Sequence, residues 1–335
     1  MRNILFSVLS LTFAFGIVQA QDVLFSAIYN YREWQNPAFV GLLPSDWQVG
    51  VVYRNQWQQI PVPYKTGEFY VHYKGLERKM EPMWIGLGIS GHTAMATKHL
   101  KRTTAQVSGA LLTGLSNTLF VGAGASISYS SLAIDINGLL FESQLTNKGF
   151  DPTLPTQESV VSDRTSGVGF HVGALGGIRT LNNNIYILSF GIYQVISPLE
   201  QVNTSTEWRR NERLTILATA NTYVSNRRLI LKPILFAAMQ GSAVAMATGG
   251  AIVYNVEQTT MKGFFGGGLI YHLGRFLSPI IMAEIYSLRV YLAYDFNLGT
   301  LSSDLGTNGA IEINVEFNYP PQHIRKYKSI YCPRF

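Results

Sequence analysis

Ten residues near the end of the chain, Ala310-Ile311-Glu312-Ile313-Asn314-Val315-Glu316-Phe317-Asn318-Tyr319, alternate without a fault. Ile311, Ile313, Val315, Phe317 and Tyr319 share one parity; Glu312, Asn314, Glu316 and Asn318 share the other. Successive side chains of a strand point to opposite faces, so this ribbon is apolar on one side and polar or charged on the other. The apolar side demands a second layer. The chain also opens with an export signal, and for an exported strand lipid can be that layer. The pattern therefore predicts a wall segment of an outer-membrane barrel.

The export signal spans residues 1–20. Arg2 supplies the cationic start, Ile4 to Val18 the apolar run, and Val18 and Ala20 precede a predicted cut before Gln21. The run is short for a membrane span. Removal of 20 of the 335 residues leaves about 315. Only 14% of the chain is charged against 47% apolar, where a soluble domain carries about 25% charge. Low charge without a continuous apolar helix fits a wall whose lipid face is spread through alternation. The formal net charge is +6. Much of the surplus sits in a basic tail over 320–335, with Arg325, Lys326, Lys328 and Arg334. An exported barrel meets no nucleic acid, so the tail is expected to be solvated or to dock an acidic partner or lipid headgroups. The single cysteine, Cys332, cannot form an internal disulfide.

Residues 234–253 form an apolar run long enough to cross a bilayer as a helix. Lys232-Pro233 before it and Gln240-Gly241-Ser242 within it argue instead for two strands and a hairpin turn. Similar segments recur along the chain, at 47–57, 64–74, 83–91, 101–114, 117–130, 167–179, 184–196, 213–224, 229–239, 243–255, 260–272, 277–285, 288–298 and 309–319. These make an all-β, transmembrane antiparallel barrel of about 14 strands over 47–319, preceded by an N-terminal periplasmic segment or plug over 21–46. Pro233 and Pro279 fall inside proposed strands, which are expected to start later or carry bulges. The division at Tyr286-Ser287 lacks Gly, Asn or Pro.

In such barrels both termini face the periplasm and the long loops lie outside. The three longest links, 131–166, 197–212 and 299–308, all join an odd strand to the next even one, so all fall on the outer side. Trp47, Trp57, Tyr64, Trp84, Tyr271, Tyr294 and Tyr319 lie near proposed strand ends, as interface girdle residues do.

Chemistry is sparse. Gly122-Ala123-Gly124 and Gly266-Gly267-Gly268 lack the strand-to-helix switch and lysine of a phosphate loop, and read as strand glycines beneath large neighbours. The six histidines have no metal-ligand spacing; His72 and His171 are expected to face the lumen. No nucleophile, base and acid cluster locally, so neither an enzyme nor a cofactor or metal site is expected.

At this point the residues invite comparison. Gln21 to Ser26, Tyr29-Asn30 and Asn36-Pro37-Ala38-Phe39-Val40-Gly41, followed in order by Tyr53 to Trp57, Leu231-Lys232-Pro233, Arg289 to Phe296 and Ile311 to Tyr319, resemble the PorP/SprF family of type IX secretion system membrane proteins. The tail beyond the last strand departs from the family pattern. The resemblance implies a component of the secretion and gliding machinery of Bacteroidota, acting with periplasmic secretion-ring lipoproteins and peptidoglycan-linked proteins and serving large surface adhesins. On this resemblance the first candidate element is the aromatic-rich leader Asp22–Gly41, with Phe25, Tyr29, Tyr31, Trp34, Asn36, Pro37 and Phe39, which either plugs the lumen, docks a partner or caps the inner mouth. The basic tail residues Arg325, Lys326 and Lys328 are a further partner-binding candidate. Outer loops carrying Asp135, Glu142, Asp151, Glu158, Asp163, Glu207, Arg209 and Arg210 are a second. A passive channel or hydrophobic-solute transporter is the alternative function.

Overall fold

The structure is a computed structural model. It describes residues 25–319 except 30–32, 43–44, 61–62, 76–82, 98, 136–138, 140, 148, 152, 156–163, 204–205, 225–227, 258–261, 299–301 and 303–305. The signal segment, Tyr31, Glu158, Asp163, the whole basic tail with Arg325, Lys326 and Lys328, and Cys332 lie outside the described residues.

Eighteen strands are present among the described residues: β1 (Trp47–Gln56), β2 (Tyr64–Gly75), β3 (Met83–Met95), β4 (Leu100–Gly114), β5 (Leu119–Ile134), β6 (Leu145–Thr146), β7 (Gly149–Phe150), β8 (Arg164–Arg179), β9 (Ile185–Ile196), β10 (Leu199–Asn203), β11 (Thr206–Arg209), β12 (Arg213–Val224), β13 (Leu229–Gln240), β14 (Ala243–Glu257), β15 (Lys262–His272), β16 (Phe276–Ile285), β17 (Leu288–Asn297) and β18 (Asn308–Tyr319). Fourteen of them close into one antiparallel barrel. The pairs β6–β7 and β10–β11 are separate two-stranded sheets in the two longest links. The wall closes where β1 meets β18, from Trp47 opposite Tyr319 to Gln56 opposite Ala310. Closure leaves no sheet edge, which a bilayer would not tolerate.

Alternation is the physical cause of the wall. Along β1, Trp47, Val49, Val51 and Tyr53 are exposed while Gln48, Gly50, Val52 and Arg54 are buried. The same division runs through β18, with Ile311, Ile313, Phe317 and Tyr319 outward. The outward residues form the apolar band that lipid covers. Residues 234–253 are the β13–β14 hairpin, turning at Gly241 with φ 59°; among the described residues no helix is long and apolar enough to cross a membrane. Tyr286 makes the turn that lacked a glycine, at φ 56°.

The prolines sit inside their strands, and the strands begin before them. Their effect is local. Pairing of β12 with β13 skips Pro233, resuming at Thr222 opposite Leu231, and pairing of β16 with β17 skips Pro279. Each missing N–H is confined to one neighbour, since Pro233 remains opposite Gly250 and Pro279 opposite Leu269. One girdle residue is corrected: Trp84 has the inward parity, is 2% exposed and donates its indole N–H to Gly41 O at 3.0 Å. Tyr64, half-buried, also falls on the inward parity of β2.

Candidate functional site: a plugged lumen

The lumen is divided. Inward positions on β1–β5, β8 and β18 are mostly polar, among them Arg54, Glu68, His72, Ser90, Gln106, Ser108, Ser128, His171, Glu312 and Glu316. Inward positions on β12–β16 are mostly apolar, including Leu217, Ile234, Phe236, Val253, Ile270, Ile280 and Met282. The N-terminal segment, described over 25–29 and 33–42, spans this division. Phe25, Ala27, Ile28, Tyr29, Phe39 and Leu42 are buried in one apolar cluster that joins Phe236 and Ile280 of the apolar half to Tyr70, Trp84, Leu112 and Phe120 of the other, and the 3-10 turn Pro37–Gly41 packs against β2–β5 and β8. Its polar groups bond on both sides: the Glu33 carboxylate, Trp34 indole and Asn36 amide reach β2, β4, β8 and β9, while the Tyr29 hydroxyl and the Trp34 and Gln35 carbonyls meet β13 and β12.

The contacts run the length of the barrel. Near the ends of β1 and β17, Ser26 donates its hydroxyl to Asp295 Oδ2 at 2.8 Å and its N–H to Glu312 Oε2 at 2.8 Å; Ala27 N–H donates to Glu312 Oε1 at 3.1 Å. Arg54 ties this corner together, donating to Asp295 at 2.7 Å, to Glu312 at 3.1 Å and to Ser26 Oγ. The Arg54–Glu312 pair also bridges the closing seam, because the two residues lie directly opposite. Midway, Glu33 meets His72 and accepts from Ser108 at 2.6 Å and Ser90 at 3.3 Å. Trp34 donates its indole N–H to Glu68 at 2.6 Å. Towards the end that carries the chain's first strand start, Trp84 reaches Gly41 O. The described residues of the segment, 25–29 and 33–42, therefore fill the lumen between these levels and are more than a lid over its mouth.

Asn36 and Pro37 explain the local shape. Asn36 Oδ1 caps the 3-10 helix Pro37–Gly41 by accepting from Ala38 N at 2.8 Å, and Pro37 supplies a preset φ at the first position. Asn36 Nδ2 donates to the wall carbonyls of Ala174 and Phe190, at 2.8 and 3.0 Å. The wall makes room with glycine. A Cβ on Gly124 would stand 2.5 Å from Ala38 N, one on Gly173 1.9 Å from Asn36 Oδ1, and one on Gly86 2.3 Å from Gly41 Cα. The glycines around Gly122-Ala123-Gly124 are thus seats for the plug and for Leu112, as well as strand residues beneath large neighbours.

Of the sequence candidates, Phe25, Tyr29, Trp34, Asn36, Pro37 and Phe39 come together in this plug, with the Tyr29 hydroxyl donating to Lys232 O. His72 and His171 both face the lumen. His72 meets Glu33, whereas His171 bonds Ser128 and the Gln194 N–H. Ser26, Glu33, Arg54, Glu68, Asp295 and Glu312 were not singled out as site residues. For Arg54, Glu68, Asp295 and Glu312 the signal was charge at inward parity on strands far apart in sequence; Ser26 and Glu33 lie in the leader, where no period marks them. In the longest link, Asp151 accepts from Thr153 Oγ1 at 2.6 Å and Thr153 N at 3.0 Å, which holds its carboxyl below the usual range. Asp135 meets His99 at 3.1 Å, and Glu142 opens a short 3-10 turn.

No curated protein matches the chain. Among solved structures, the chain is similar to the TodX deltaS2S3 mutant monoaromatic hydrocarbon channel, with TM-score 0.55 and 10% identity over 89% of this chain and 95% of that one. It is similar also to the Ralstonia pickettii toluene transporter TbuX, with TM-score 0.52 and 12% identity over 84% and 91%. At such identities the likeness is one of fold, and that fold is the outer-membrane barrel. A family described as type IX secretion system membrane protein PorP/SprF matches residues 17–317. With nearly the whole barrel and plug inside that match, the chain belongs to the PorP/SprF family of type IX secretion system membrane proteins.

Proposed function

We propose that this protein is a non-enzymatic outer-membrane component of the type IX secretion and gliding machinery. It assists export or surface attachment of large adhesin-like substrates and contacts periplasmic secretion-ring lipoproteins and peptidoglycan-linked proteins. The observation that carries the reading, beside family membership, is the occupied lumen. Segment 25–42 is tied to β1, β2, β3, β4, β8, β9, β12, β13, β17 and β18 by hydrogen bonds or ion pairs. A lumen filled in this way suits a scaffold better than a free passage. On this reading the long links face outward and both termini face the periplasm.

The test is a pull-down from native membranes in mild detergent. Secretion-ring lipoproteins or a large surface adhesin are expected in the eluate; recovery of the barrel alone counts against the reading. The alternative, a passive channel for hydrophobic solutes, draws on the apolar lumen half around Phe236, Ile280 and Met282. Planar-bilayer recording separates the two: a scaffold is silent, while a pore shows large steady conductance.

A further inference from the structure

The lipid face of the wall is not level, and Pro233 is the local cause. β12 pairs with β13 as far as Thr219 opposite Ile234, then resumes at Thr222 opposite Leu231. Ala220 and Asn221 have no partner across that gap, where Pro233 has no N–H to give. Side chains meet the carbonyls there instead: Thr219 Oγ1 donates to Pro233 O at 3.2 Å, and the Tyr29 hydroxyl donates to Lys232 O. With its ladder open on this side, β12 lies deep in the wall. Thr219, Ala220 and Asn221 are all buried, although Ala220 has the outward parity.

Small outward residues deepen the dip. Leu188 on β9 stands between Gly176 of β8 and Ala218 of β12, directly opposite each. A Cβ on Gly176 would meet nothing within 4 Å. The result is a trough of about 780 Å³ spanning β8, β9, β12 and β13. Ile178, Leu188, Phe190 and Leu235 on its rim are exposed, whereas Leu175, Ile187 and Ile234 on its floor are buried, so it opens to the lipid side. No charged residue is among the described residues that line it.

The trough runs towards a cationic end. Leu235 is seven residues beyond Arg228, about 23 Å along a strand and about 18 Å of membrane depth at a tilt of about 40°. One leaflet supplies about 15 Å of hydrocarbon. The trough therefore spans a single leaflet, the one beside the short turns 180–184 and 225–228. Those turns and the strand end before the first carry Arg179, Arg227 and Arg228 and no carboxylate. Arg179 is half-buried and donates to Asn183 Oδ1 at 2.6 Å, and Arg228 is exposed.

We propose that this trough is a lipid seat: it holds an acyl chain of a glycerophospholipid whose phosphate lies beside the arginines of the short turns. An apolar lining open to lipid fits the chain, and positive charge one leaflet-depth away fits the anionic head. The choice of leaflet rests on the orientation adopted above, which makes it the periplasmic one.

The test is native mass spectrometry of the purified full-length protein, delipidated in detergent and titrated with phosphatidylglycerol. One lipid is expected to survive activation that strips the rest. Gly176→Leu displaces about two methylenes of the guest and should weaken that binding about tenfold. Gly267→Leu, at an exposed position on β15 whose Cβ lies 3.7 Å from Ile280 O, is the control and should bind as the parent does. Arg228→Glu should also weaken binding, with heat-modifiable gel mobility confirming folded barrels. Undiminished binding in Gly176→Leu, or equal loss in Gly267→Leu, overturns the proposal. So does a dimer that Gly176→Leu dissolves, since a second copy then fills the trough. An Arg228→Glu protein that binds as the parent does overturns the headgroup placement. Lipid A retained from native membranes in preference to phospholipid, and lost in Gly176→Leu, overturns the choice of occupant. Protease added to intact cells reads the orientation separately: cleavage of the link after β5 supports it, and protection overturns the leaflet assignment alone. If the pull-down recovers no secretion partner while Gly176→Leu still loses its lipid, the secretion reading falls and the lipid seat stands.

Discussion

Gly124 offers the sharpest perturbation of the plug. Its Cβ position lies 2.5 Å from Ala38 N and 2.6 Å from Ala38 Cα, about 1 Å inside ordinary van der Waals contact. β5 cannot retreat, because it is paired from Leu119 to Ala133 with β8 and from Phe120 to Ile134 with β4. The plug has to give. Overpacking of this kind costs about 1–3 kcal/mol, which multiplies the undocked population by about 5- to 150-fold. Gly124→Ala should therefore raise both protease cleavage within 25–42 and the frequency of conducting events in planar bilayers, while heat-modifiable mobility shows an intact barrel. Gly176→Ala on β8 is the control, since nothing lies within 4 Å of the new carbon. A Gly124→Ala protein as silent and protected as the parent, or a Gly176→Ala protein that leaks equally, would refute the idea that close backbone approach seats the plug.

Three further outcomes follow. Arg54→Met leaves Asp295 and Glu312 buried without their cation, a loss of about 3–5 kcal/mol; protease nicking near Ser26 should increase, with Arg54→Lys intermediate. Val51→Lys places a charge on the lipid face and should lower the unfolding free energy by about 2–4 kcal/mol if residue 51 sits near the midplane, measured by urea titration in vesicles; an inward charge is instead met by partners, as Arg54 is. The depressed Asp151 pKa means that its stabilisation of the 151–154 turn is complete above the unfolded carboxyl value and fades as pH falls through the lower folded value. The protection of Thr153 N–H from hydrogen exchange, taken relative to the intrinsic rate at each pH, should fall on acidification, and Asp151→Asn should remove that step.

Much of the barrel was legible because a wall between lipid and lumen imposes a two-residue period on each segment separately. The strand at 309–319 read correctly from ten residues, and the β13–β14 hairpin from one glycine-serine turn. Link lengths carried topology, since a periodic wall alternates its ends. The plug was legible only in part. Its aromatics were visible as an apolar leader, and Asn36-Pro37 as a motif, but neither says where a leader goes. Trp84 misled because a tryptophan near a strand end fits an interface girdle as well as an inward donor to Gly41 O.

The sequence by itself determined the wall: its period, its strand number, its lipid face and the end that bears the long links. These depend on neighbours along the chain, and the chain order states them. Only the tertiary structure decided what fills the cylinder. Arg54 meets Asp295 and Glu312, Glu33 meets Ser90 and Ser108, and Gly124 and Gly173 open space for Ala38 and Asn36. Each of these pairings joins residues that sequence places tens to hundreds of positions apart. They meet because closure brings every inward side chain onto one shared axis, and a repeating pattern cannot encode which of them meet there.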